Sequence, residues 1–120
     1  MHRSIALFLA LALPFPALAN DFVPVRDKGE FLSLVQDREL RLSLYGLTLN
    51  VLPDGRIEGE ALGSPVTGTW TWNDGYFCRE MGWNGRDIAY NCQLVEAQDA
   101  SALRFTVDQG KGQSAVFRLR

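Results

Sequence analysis

Val66-Thr67-Gly68-Thr69-Trp70-Thr71-Trp72 decides the fold. Along an extended chain Val66, Gly68, Trp70 and Trp72 point one way and the three threonines the other. A period of two with one apolar face is the mark of a strand half-buried in a sheet. Threonine and tryptophan also suit a pleated surface better than a helix. The alternation continues outward on both sides. Upstream it recurs in Ile57-Glu58-Gly59-Glu60-Ala61 and Leu47-Thr48-Leu49-Asn50-Val51. Downstream, Ile88, Tyr90, Cys92 and Leu94 share a face, then Leu103, Phe105 and Val107, then Ala115, Phe117 and Leu119 with Arg118 and Arg120 opposite. The repeated pattern predicts antiparallel sheet with one buried face.

The connections agree. Pro53-Asp54-Gly55 and Asn73-Asp74-Gly75 read as three-residue hairpin loops with glycine at a left-handed position. Gly63-Ser64-Pro65 and the run Gln109 to Gln113 read as turns. Near Tyr45-Gly46 the apolar face switches from Leu40, Leu42 and Leu44 to Leu47, Leu49 and Val51, which either a glycine bulge or a tight hairpin explains. Ahead of the strands, Asn20 to Val25 is a short lead-in or edge strand. Asp27 and Glu30 then have capping-box spacing, and Phe31, Leu34 and Val35 recur at helical spacing, so a helix from about Lys28 to Gln36 is expected. The expected fold is mainly β: a small antiparallel up-and-down barrel or sandwich of six to eight strands, with one short N-terminal helix and one disulfide.

The first residues carry an address. Met1-His2-Arg3 is a basic start, Ser4 to Leu13 is apolar, and Ala17-Leu18-Ala19 offers a small-x-small exit. This predicts a signal peptide over 1–19, cleaved after Ala19, and a single domain over 20–120 that is periplasmic or secreted. Pro14 and Pro16 interrupt the apolar run before the roughly 20 residues a membrane span needs. No cysteine follows the cleavage site to take a lipid, so no membrane anchor is expected to remain.

Charge and composition exclude whole classes. The 120 residues carry a net charge of −2, without the basic excess of a nucleic-acid binder. The chain is short for a two-domain cofactor enzyme. His2 is the sole histidine and leaves with the signal peptide, taking with it the commonest general acid–base and metal-binding side chain. No GxSxG elbow occurs, and Gly110-Lys111-Gly112 lacks the strand-to-helix context of a phosphate loop. Glu58 and Glu60 share a face but point outward, toward expected partners among Arg41, Arg104 and Arg118. No catalytic residue, cofactor or metal is expected.

Cys78 and Cys92 form an even pair in a small exported domain and predict a disulfide; CxxC and zinc-type spacings are absent. Paired positions across a two-residue Asn84-Gly85 turn would have numbers summing to 169, whereas the cysteines sum to 170. A bulge, or a loop centred on Gly85, reconciles them, and the reading favours a clamped exposed loop from Glu80 to Asp87. Trp83 on that loop, with Glu80, Arg86 and Asp87 nearby, is the candidate binding site; the alternative is that Trp83 folds back as a lid on the core. Trp70 and Trp72 either fill the barrel, with Gly59 and Gly68 making room, or line a pocket.

Pro53-Asp54-Gly55-Arg56-Ile57, Gly68-Thr69-Trp70-Thr71-Trp72, Asp74-Gly75-Tyr76-Phe77-Cys78-Arg79, Asn91-Cys92 and the C-terminal Phe117-Arg118-Leu119-Arg120 together resemble a set of small secreted bacterial proteins often labelled dihydrodipicolinate reductase. That label implies a nucleotide-binding α/β domain, a glycine-rich turn after a strand and a His/Lys motif, none of which this sequence contains, so no catalytic residue carries over. The Gly-x-Trp element and the cysteine-tied meander also resemble lipocalin-like barrels and periplasmic lysozyme inhibitors at the level of architecture. The expected function is therefore that of a monomeric, non-enzymatic binding or inhibitor-like module for an unidentified protein. Two alternatives stand beside it: a carrier of a small apolar ligand in a cavity between Trp70, Phe105 and Phe117, and the reductase of the label.

Overall fold

The computed structural model describes residues 21–120; the expected signal peptide lies outside them. Among the described residues nine strands and two short helical segments follow in the order β1 (Val23–Val25), α1 (Lys28–Val35), β2 (Leu40–Leu42), β3 (Leu47–Val51), β4 (Arg56–Ala61), β5 (Ser64–Asn73), β6 (Tyr76–Trp83), β7 (Arg86–Gln98), β8 (Ala102–Thr106), α2 (Val107–Gly110) and β9 (Ser114–Leu119). From β2 to β9 each strand pairs antiparallel with its sequence neighbour, and β9 returns to pair with β2. The result is a closed eight-stranded up-and-down barrel. β1 lies outside that ring. It pairs with Val95 to Ala97 of β7, beyond the last pair that β7 makes with β6 at Phe77↔Gln93.

The alternation that predicted the strands also fills the barrel. Val66 and Trp70 of β5, Leu49 and Val51 of β3, Ile57 of β4 and Leu103 of β8 are all buried. Gly59 and Gly68 have a sharper role than leaving space. A Cβ on Gly59 would run into the Thr48 carbonyl oxygen, and one on Gly68 into the carbonyl oxygen of Glu80. At these two positions β3, β4, β5 and β6 coil closely over one another, which only glycine permits.

Because the strands run up and down, the connections sort to two ends. One end carries the loop at Leu52 to Gly55, the Asp74-Gly75 turn and the connection at Asp99 to Ser101. α1 closes this end. Its first turn is capped by Asp27, whose carboxylate accepts from the Glu30 amide at 3.0 Å. Phe31 is 0% exposed and meets Trp70, Trp72, Phe77 and Phe105 at ring-centroid distances of 4.9 to 6.4 Å. The two indoles are fixed by donating to backbone, Trp70 Nε1 to the Leu52 carbonyl at 2.8 Å and Trp72 Nε1 to the Arg26 carbonyl at 3.2 Å. Trp70 and Trp72 are thus the floor of the barrel.

Several turn assignments shift. The Tyr45-Gly46 switch is a hairpin: a 3-10 turn over Ser43–Tyr45 ends on Gly46 in the left-handed region. Asn73 pairs with Tyr76, so that loop has two residues, not three, and the turn before β5 is Leu62-Gly63, with Ser64 and Pro65 already in the strand. The sequence pattern gave one helix, strand thereafter and a turn over Gln109 to Gln113; the structure has there the short segment α2, whose Asp108 and Gln109 lie in the left-handed region (φ 57° each), and Val107 belongs to it instead of to β8. Glu58 pairs with Arg56 on its own strand at 2.6 Å, not with the arginines expected across the sheet; Arg41 bonds Glu39 and Arg104 bonds Glu96.

The largest correction concerns Glu80 to Asp87. This segment is a tight hairpin, not an extended loop. Asn84 and Gly85 form a two-residue turn with φ of 53° and 78°, the conformation that matches strand twist. Trp83↔Arg86, Gly82↔Asp87 and Met81↔Ile88 pair on the 169 sum, and Arg79↔Asn91, Cys78↔Cys92 and Phe77↔Gln93 on the 170 sum. A bulge at Ala89-Tyr90 absorbs the extra residue. It also breaks the expected shared face of β7. Ile88 lies opposite inward Met81, whereas Cys92 lies opposite outward Cys78, to which it is disulfide-bonded across a Cα separation of 3.9 Å.

Candidate functional site

The end of the barrel opposite α1 is where a cavity forms. Its inner wall on one side is apolar, built by inward residues of β2, β3, β4 and β9 such as Leu42, Leu47, Leu49, Ile57, Ala115 and Phe117. The cavity has a volume of about 620 Å³, within the range of about 300–1,000 Å³ typical of small-molecule sites. Phe77 and Phe105 stand between it and the Phe31 plug.

It reaches the surface along a seam. β2 and β9 pair only at Leu40↔Leu119 and Arg41↔Arg118, reinforced by reciprocal backbone bonds between Glu39 and Arg120 at 2.9 and 3.2 Å. Past Arg118, β9 continues through Ser114 to Phe117 with no register partner on β2. Leu44, Tyr45 and Val116 border this gap, line the cavity and are exposed, Leu44 by 75%.

The β6–β7 wall is different in chemistry. Phe77, Arg79 and Met81 alternate inward on β6, and Gln93 faces inward opposite Phe77. Arg79 is half-buried. Its guanidinium donates from one nitrogen to the Ala89 carbonyl in the bulge at 2.7 Å and makes no ion pair among the described residues. Burial alone holds its pKa below the ordinary arginine value. Gln93 is only 8% exposed, yet its carboxamide has no hydrogen-bond partner among the described residues. Asp108 of α2 is already engaged: it accepts from Asn91 Nδ2 at 2.9 Å, and its own amide donates to Asn91 Oδ1 at 2.9 Å.

The four residues singled out in sequence do not converge. Trp83 lies on the inner face opposite Val66, half-buried, with its indole donating to the Ala61 carbonyl at 2.8 Å. Arg86 is opposite it at the rim and exposed, while Glu80 and Asp87 are exposed on the outer face. Arg79 and Gln93 escaped sequence reading. A signal existed, since Arg79 falls two residues after an aromatic on one face of β6, but Glu80 on the other face is equally polar. Only the pairing shows which face is inside.

Fold and site together define a closed antiparallel barrel with one plugged end and an internal, mostly apolar cavity carrying one cationic wall. The chain matches no protein-family model, no curated protein and no solved structure. Among the described residues no helix is long and apolar enough to cross a membrane. The disulfide fits an oxidising compartment.

Proposed function

We propose that this protein is a non-enzymatic binding protein that carries a small apolar molecule inside its barrel. The half-open cavity of about 620 Å³ carries the reading, because its size and its largely apolar lining suit a small molecule. A barrel of eight strands has room either for its own side chains or for one small ligand. Here α1 and the aromatic floor fill one end, and the other stays open beneath a rim of exposed Leu44, Tyr45 and Val116. The described residues contain no histidine, which favours carriage over acid–base chemistry. The protein-partner reading centred on Trp83 has less support, since its indole is bonded inward to Ala61.

The test is fluorescence titration with the neutral apolar probe N-phenyl-1-naphthylamine. Saturable enhancement at one probe per chain is expected, and Ala115→Phe, which adds bulk to the cavity wall, should reduce it at least about tenfold. Enhancement that never saturates, or that Ala115→Phe leaves unchanged in a folded protein, would refute the reading. None of the three tryptophans lines the cavity, so their intrinsic fluorescence is a poor reporter.

A further inference from the structure

We infer that the ligand is a single-chain amphiphile with an anionic head, held by Arg79 and Gln93 on the β6–β7 wall while its tail lies against the apolar wall opposite. This rests on the cavity reading above and adds the chemistry of the ligand to it. Three observations point the same way. First, Arg79 lines the cavity, has no carboxylate partner among the described residues, and engages one of its five N–H donors with the Ala89 carbonyl. A half-buried cation without a counter-ion is costly, and an incoming anion removes that cost. Second, Gln93 is nine-tenths buried, faces the same cavity, and its carboxamide has no hydrogen-bond partner among the described residues. Buried carboxamides are nearly always satisfied, so an orphan is a place for a ligand atom or for water. Third, the two occupy one wall. Gln93 lies across from Phe77, two residues from Arg79 on the same inward face of β6.

The Ala89 bond matters for geometry. The bulge presents the Ala89 carbonyl, which ties one guanidinium nitrogen and leaves the remaining donors for a carboxylate. Asp108 does not compete, because Asn91 holds it at the α2 turn through two hydrogen bonds. Arg79 keeps its proton at physiological pH despite the downward pull of burial, so the wall is cationic whenever the ligand head is ionised.

The experiment compares dodecanoate with methyl dodecanoate and dodecanol as displacers of N-phenyl-1-naphthylamine from the full chain. The acid should displace the probe at concentrations at least about tenfold lower than the ester or alcohol, as expected when a charge-assisted bond is gained. Arg79→Met should erase that preference while keeping ester binding. Gln93→Leu should narrow it and raise the Tm of the empty protein, since an orphaned amide is removed. If acid and ester displace the probe equally, the head-group assignment is overturned and the cavity reading stands. If the probe itself does not bind, both fall. A preference that survives Arg79→Met also overturns the assignment. Should Arg79→Met fail to fold by circular dichroism, the wild-type comparison and Gln93→Leu still decide.

Discussion

Gly59 and Gly68 show how much one missing methyl group controls. Each sits where a Cβ would collide with the backbone of the neighbouring strand, against Thr48 and Glu80 respectively. Substitution to alanine must push β3 from β4, or β5 from β6, and the cost of such overpacking is typically about 1–3 kcal/mol. Gly68→Ala should therefore lower the Tm by several degrees, measured by thermal circular dichroism; an unchanged Tm would mean that the strands separate there without penalty. A second residue-scale effect concerns pH. Arg56 bonds the Asp54 side chain at 2.8 Å and holds its carboxyl below the usual aspartate range, by side-chain hydrogen bonding first and backbone bonding second. A depressed carboxylate contributes stability that is present above its unfolded pKa, about 3.9, and is lost as pH falls through the folded value. The pair is fully exposed, so its effect is small and salt-sensitive. Arg56→Gln should raise the Asp54 pKa toward the ordinary value in an NMR titration; an unmoved pKa would exclude Arg56 as the cause.

At the scale of elements, α1 and the β6–β7 hairpin illustrate two kinds of legibility. The helix was readable because its signals are local: Asp27 caps its own first turn, and Phe31 and Val35 recur on one face. Its role as a plug was not, because Phe31 meets aromatics from β5, β6 and β8. Phe31→Ala should cost about 3–5 kcal/mol, a large share of the roughly 5–15 kcal/mol that holds a small domain folded; a wild-type denaturation midpoint would show that the floor closes without it. The hairpin carries the disulfide, which joins strands already paired at Cys78↔Cys92. Replacing both cysteines with alanine should remove about 2–4 kcal/mol, read as a lower urea midpoint with a slope no smaller than wild type, because the unlinked unfolded chain is less compact. The one-residue mismatch in the cysteine numbering was visible in sequence. Its location was not: a loop at Gly85 and a bulge at Ala89-Tyr90 satisfy the same arithmetic, and only strand pairing distinguishes them.

At the scale of the whole molecule, the barrel is closed unequally. β5 and β6 share eight register pairs, whereas β2 and β9 share two. Local stability follows the density of such bonds, so the seam should open first. Amide hydrogen exchange at Ser114 to Val116 and Ser43 to Tyr45 should run faster than at Trp70 to Trp72, and an apolar ligand should slow it. Equal protection at both places would contradict a weak seam. The sequence alone determined the strand segments, the single buried face, the capped helix and the cysteine pair, because each depends on neighbours a few residues apart or on parity along one strand. Tertiary structure alone decided that the sheet closes at β2–β9, that α1 plugs one end, and that Arg79 and Gln93 face a cavity. Those outcomes depend on which strand lies beside which, and parity within a strand is blind to it: inward and outward acquire meaning only when the last strand meets the first.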